Sequence, residues 1–160
     1  MKSTIDKIQN WYLNHCNLDW EHQNGIKIDT LDNPGWSVLV NLIDTEFENT
    51  KFILEIENGD SDWIKIKAND NLFMGVGDPS KLSTILEIFT LKFIENKFYQ
   101  REEEEKEWML QNTWCNQCNK ADLGMSNPKE YSEKHKVLIS GKCLKCGNEI
   151  ISKVTNERTK

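Results

Sequence analysis

The sequence predicts an α+β fold: an antiparallel meander of about five strands, flanked by an N-terminal helix and a long C-terminal helix, with a small zinc-ribbon appendage. Three observations predict it. Short apolar/polar alternations recur between residues 25 and 76 with turn residues between them. Apolar residues at helical spacing bracket that region on both sides. Two Cys-x-x-Cys pairs stand apart from it, near the end of the chain.

Ser3 or Thr4 can cap a first helix that places Ile5, Ile8, Trp11 or Tyr12, and Cys16 along one face and stops near Asn14 to Asn17. Gly25 to Thr30 then alternates, with Ile26 and Ile28 on one side and Lys27 and Asp29 on the other. Asn33-Pro34-Gly35 makes a turn, and Trp36, Val38, Val40 and Leu42 form the inward face of a second strand. Lys51 to Glu57 is a third, closed by the turn Asn58-Gly59-Asp60-Ser61. Trp63 to Ala68 is a fourth and Leu72 to Val76 a fifth, and short links between successive strands favour a meander. Asp78-Pro79 opens the second helix, with Leu82, Ile85, Leu86, Phe89 and Phe93 as one apolar stripe. The run Glu102 to Glu105 reads as a solvated helix end or linker.

Charge divides the chain of 160 residues and net charge −6 into two parts. Residues 1–107 carry 11 basic against 21 acidic side chains, and residues 108–160 carry 9 against 5. An acidic α+β domain over 1–107 therefore precedes a basic module over 108–160. The first residues lack an apolar signal region and no apolar run reaches membrane-spanning length, so the expectation is a cytoplasmic protein with no membrane partner.

Cys115-Asn116-Gln117-Cys118 and Cys143-Leu144-Lys145-Cys146 give two thiolate pairs, the donor set of a tetrahedral zinc site. Each knuckle needs a residue that tolerates the left-handed region after its second Cys, and Asn119 and Gly147 supply it. Lys136 to Lys142 and Ile150 to Val154 read as strands entering and leaving the second knuckle. The expected cofactor is one structural Zn²⁺, since four thiolates leave no position for substrate. His135 could replace one ligand, but between Lys134 and Lys136 it reads as an exposed histidine, and a disulfide pair is disfavoured for a reduced compartment. Four thiolates and one zinc contribute −2, which leaves the module near +2 and short of a dense basic patch. Trp114 and Tyr131 stand alone in the sequence, so nucleic acid is not an expected partner. A zinc-ribbon adaptor that binds nucleic acid or regulates another protein is the alternative reading.

Catalytic signals are weak. Glu21 and His22, with Asp19 and Asp32, contain acid–base chemistry, but capping and ion pairing account for the same residues. Gly75-Val76-Gly77 lacks the remainder of a phosphate cradle. Cys16 falls at a helix C-terminus, where the dipole opposes a thiolate. His15, Cys16 and His22 are the pieces of a second metal site at unconvincing spacing. The expectation is a protein without enzymatic activity.

Residues 17–36 gather Asp19, Trp20, Glu21, His22, Asp29, Asp32 and Trp36 into an acidic, aromatic-rimmed segment. Together with Trp11-Tyr12, Cys16, Gly25-Ile26, Ile28, Thr30 to Trp36, Asp62-Trp63, Phe73, Gly75 and Gly77-Asp78-Pro79, this segment resembles the bacterial immunity 53 family over about residues 5–98. The pattern departs at Leu18, near which relatives carry Gly, and at Asn41, near which they carry an acidic residue. The zinc ribbon is an addition to it. The resemblance implies a non-enzymatic immunity protein that binds and neutralises a cognate polymorphic toxin, and the acidic body suits a basic toxin. Asp19, Trp20, Glu21, His22, Asp29, Asp32, Trp36 and Trp63 are the candidate toxin-binding residues.

Overall fold

In a computed structural model that describes residues 1–133 and 136–154, the chain forms two compact units, Met1–Glu95 and Asn96–Lys160. His135 lies outside the described residues.

The first unit begins with α1 (Thr4–His15), whose start is fixed by a reciprocal box between Ser3 and Asp6. A four-residue turn of helix, α2 (Trp20–Gln23), leads into β1 (Ile26–Leu31) and β2 (Gly35–Asn41). Next come β3 (Phe52–Glu57), β4 (Trp63–Asn69), β5 (Leu72–Gly77) and α3 (Leu82–Phe89), which runs on as a π-helical turn over Thr90–Ile94. All pairs are antiparallel; β2, β4 and β5 alternate in burial as the pattern predicts, whereas the edge strands β1 and β3 do not, with Ile28 and Ile56 exposed.

The meander does not form. The sheet order is β1-β2-β5-β4-β3, so β5 inserts beside β2 and the chain crosses from one side of the sheet to the far edge. The cause is the connection after β2, which is too long for a hairpin and buries Phe47 against Trp11 with ring centroids 5.7 Å apart. That packing carries β3 away from β2 and leaves β2's free edge to β5.

Register places Val38, Val40, Phe73, Ile64, Ile66, Ala68 and Phe52 on one face. There they meet Trp11, Ile85, Phe89 and Phe93, all buried. Close approach is set at Gly75: a Cβ there would lie 2.4 Å from Ile85 Cγ2, so the residue that lacks one seats α3 on the sheet.

The long C-terminal helix is also corrected. After Ile94 the chain breaks, because the Asn96 side chain turns back to accept from the Phe98 N–H at 3.2 Å and starts a 3₁₀ turn over Lys97–Gln100. A separate helix, α4 (Glu103–Gln111), carries most of the glutamate run, within the second unit. Nor does Asp78 cap α3. It is buried, and its carboxylate accepts from Trp63 N (2.9 Å), Ser80 N (2.8 Å) and Ser80 Oγ (2.6 Å). Asp78 thus ties β4 to the β5–α3 connection.

The second unit continues with β6 (Trp114–Cys115) and β7 (Lys120–Ala121), which pair as a minimal hairpin. A three-stranded sheet follows, ordered β10 (Glu149–Val154), β9 (Lys136–Cys143), β8 (Met125–Glu133). Its inner face holds Ile139, Cys143, Ile150 and Met125, and Arg101 pairs with Glu130 at 2.7 Å. Among the described residues no helix is long and apolar enough to cross a membrane.

Candidate functional site: an acidic domain and a four-cysteine centre

The predicted toxin-facing residues fall into three groups. The first surrounds α2. Asn17 Oδ1 accepts from the backbone N–H of Asp19 (3.0 Å) and of Trp20 (2.9 Å). Glu21 accepts from Asn17 N (2.9 Å) and Leu18 N (2.8 Å), and N–H groups of its own and of Asn17 hold its carboxyl below the usual range. The Trp20 ring is buried, with Nε1 donating to the Ile43 carbonyl at 2.8 Å. Trp20 and Glu21 therefore build the segment from inside, while Asp19 and His22 are exposed on it. Leu18 is the residue under strain: its φ is 78° and its side chain is 82% exposed.

Asp29 forms the second group, alone on β1, exposed and 3.7 Å from Lys27. The third lies at the opposite end of the sheet, about 17 Å along β1 from the first at ~3.3 Å per residue. Asp32 is exposed in the β1–β2 turn, and Trp36 and Trp63 are half-buried. Trp36 Nε1 donates to the Pro79 carbonyl at 3.0 Å. Lys81 lies 2.6 Å from Asp62 and 3.5 Å from Asp78, and the ammonium holds the Asp62 carboxyl low while Asp62 raises the Lys81 pKa.

Sequence reasoning missed one constellation. Glu46, in the long connection after β2, accepts from Trp11 Nε1 at 3.0 Å and lies 2.8 Å from His15 Nε2, while His15 Nδ1 lies 2.8 Å from the Trp11 carbonyl. Both ring nitrogens face acceptors, so His15 is spent on clamping that connection to α1. No periodicity marks a loop carboxylate for such a role. Cys16 donates its thiol to the Tyr12 carbonyl at 3.3 Å, as a helix-end residue does. The proposed acid–base set is not assembled, since Glu21 is occupied and Asp32 is at the far end of β1.

In the second unit the four cysteines converge. The Sγ atoms of Cys115, Cys118, Cys143 and Cys146 all lie within 4.8 Å of one another, and Cys115 and Cys146 are 3.6 Å apart. A tetrahedron of Zn–S bonds near 2.3 Å requires S···S separations of about 3.8 Å, so the donor set fits zinc. Among the described residues this is the only cluster of His, Cys, Asp or Glu at metal-holding range, so His15, Cys16 and His22 do not make a second one. The knuckles have the expected backbone: Asn119 and Gly147 take φ of 48° and 72°. Cys118 N donates to Cys115 Sγ and Asn148 Nδ2 to Cys146 Sγ, each at 3.4 Å. Hydrogen bonds from Asn148 pull the Cys146 thiol down to about 6, and hydrogen bonding to Cys146 with burial pushes Cys118 up to about 12. Crowded sulfurs cannot all ionise without a cation to share.

The family model for immunity protein 53 matches residues 5–94, more than half of the chain. The chain belongs to the immunity protein 53 family. The match ends one residue before the first compact unit does, so the immunity domain and that unit coincide. The four-cysteine centre lies outside the match. No curated protein and no solved structure matches the chain.

Membership suggests a toxin-neutralising role and, as for such families generally, one exercised without catalysis.

Proposed function

We propose that this protein neutralises one cognate bacterial toxin by stoichiometric binding in the cytoplasm, without enzymatic activity. The observation that carries the reading is the immunity protein 53 match over the whole acidic unit. Residues 1–95 hold 8 basic and 16 acidic side chains, a balance of −8 that attracts a basic toxin and speeds encounter. Asp19, His22, Asp29 and Asp32 supply the charged surround and Trp36 and Trp63 the aromatic anchors, with Trp20 and Glu21 holding the α2 segment in shape. The first unit, Met1–Glu95, then carries immunity, and the second is built around one structural Zn²⁺ held by Cys115, Cys118, Cys143 and Cys146.

The test is growth of cells expressing the toxin encoded beside this gene, with and without the full chain. Wild type should restore growth. Asp29→Lys and Asp32→Lys together should raise the amount of immunity protein needed, through slower association. Failure of wild type to rescue cells from a demonstrably toxic neighbour would refute the pairing.

A further inference from the structure

The second unit has a sheet face that the toxin reading leaves unused. The inner face of β8–β10 packs against the unit's own core, as Ile139, Cys143 and Ile150 show by their burial. The outer face is assembled by register. Across the three strands, Lys153 aligns with Leu138 and Tyr131, and Ile151 with Ser140 and Lys129. Lys142 aligns with Ser126 and Glu149, and Lys136 with Glu133.

Lys129, Lys136, Lys142 and Lys153 are all exposed on this face, and among the described residues none of the four makes an ion pair. Glu133 and Glu149 stand opposite Lys136 and Lys142 at its two ends, which leaves Lys129 and Lys153 unopposed, the first two residues before Tyr131 on β8 and the second in the row of Tyr131 on β10. The half-buried Tyr131 thus has Lys129 about 7 Å away along its own strand and Lys153 about 10 Å away on the other outer strand, with Leu138 of β9 between them. Half of the unit's ten acidic side chains lie in the segment Glu102–Glu107, and two, Glu133 and Glu149, stand on this face. Linear order showed only part of this arrangement: Lys129 precedes Tyr131 by two positions, and strand pairing adds Lys153 to its row.

We infer that the outer face of β8–β10 docks a single-stranded nucleic acid without sequence preference, Lys129 and Lys153 meeting phosphates and Tyr131 stacking on a base. Charge complementarity calls for a polyanion. The aromatic ring next to Lys129 on β8, with Ser140 in the row of Lys129, favours nucleic acid over an acidic protein, which offers nothing flat to stack.

The experiment uses the zinc-loaded full chain and fluorescent 20-nucleotide oligo(dT) and oligo(U), read by anisotropy at 50 and 200 mM salt. With two to four phosphates neutralised, affinity should fall by about 7- to 50-fold across that range. Lys129→Gln with Lys153→Gln should lower the log–log salt slope by about 1.4. Tyr131→Ala should weaken binding by about 5- to 150-fold, with Tyr131→Phe retaining it. Each variant must keep four-thiolate zinc and the wild-type circular dichroism spectrum, which separates lost docking from lost fold. Three results would overturn the inference: no binding at 50 mM salt; binding indifferent to the lysine pair; or full competition by poly-glutamate with Tyr131→Ala unchanged, which would assign the face to an acidic protein.

Discussion

Replacing Leu18 by glycine should stabilise the immunity domain, although it removes a leucine. Four backbone N–H groups around this position are held by two side chains, Asn17 and Glu21, so the turn is over-determined and Leu18 is forced to a φ of 78°. A side chain in the left-handed region costs about 1–2 kcal/mol. The leucine returns little, because 82% of it is exposed. Glycine removes the penalty but adds about 0.5–1 kcal/mol of unfolded-state entropy, so the net gain is about 0.5–1 kcal/mol. For a unit of this size, that is a rise in melting temperature of about 2–8 °C. Urea unfolding followed by tryptophan fluorescence, with the full chain, reads it directly. Leu18→Ala is the control: alanine keeps the Cβ that causes the strain and should gain nothing. In a Glu21→Ala background the turn can relax, and the benefit of glycine should shrink. A loss of stability in Leu18→Gly would refute the reasoning, by showing that the exposed side chain is held by the native state.

Other outcomes follow from the same geometry. Phe93 is fully buried and its ring meets Phe47, Phe52, Phe73 and Phe89 at centroid distances of 5.3–5.6 Å, so Phe93→Ala should cost about 3–5 kcal/mol in urea unfolding, against less than about 0.5 kcal/mol for exposed Leu91→Ala. Hydrogen bonds from Ser80 and from Trp63 N lower the Asp78 carboxyl to about 2, from 3.8. The unfolded chain therefore binds more protons between those values, and the stability Asp78 contributes above pH 3.8 is lost as pH falls toward 2. The gap between wild type and Asp78→Asn should close over that window, and a constant gap would disprove it. Stripping metal from the four-cysteine centre with excess chelator should abolish the dispersed Ile139 and Ile150 methyl resonances and spare those of Ile64 and Ile85, since metal supplies on the order of 10 kcal/mol to units of this kind. Persistence of the Ile139 and Ile150 signals with metal removed would show that the cysteines hold their cluster unaided.

Legibility in the sequence followed the range of the interaction. Ile26 and Ile28, Val38 and Val40, Phe52 and Leu54, and Ile64 and Ile66 each report a strand through local alternation, and the Ser3–Asp6 box reports a helix start. Strand order is a different matter, because β5 reaches β2 only after the intervening chain has packed Phe47 onto Trp11. The apolar stripe from Leu82 to Phe93 is real, and what ends the helix is the turn begun by one asparagine, Asn96. β8 is masked in the sequence because Asn127 at φ 52° and Pro128 interrupt its alternation, and the register shifts between Ser126 and Lys129. The knuckles were readable to the residue, since thiolate spacing and a permissive following position are local requirements. The surface residues of residues 17–36 were readable as a set but not as a place: β1 puts Asp19 and Asp32 at opposite ends of the sheet.

The most direct measurement is titration of the purified neighbouring toxin with purified full-length protein, following toxin activity and complex mass together. The account predicts that activity ends at one equivalent, that a one-to-one complex is isolated, and that raising salt weakens it. Loss of toxin activity at far less than one equivalent would mean turnover and an enzyme. Undiminished activity in the presence of excess protein would contradict the immunity reading itself.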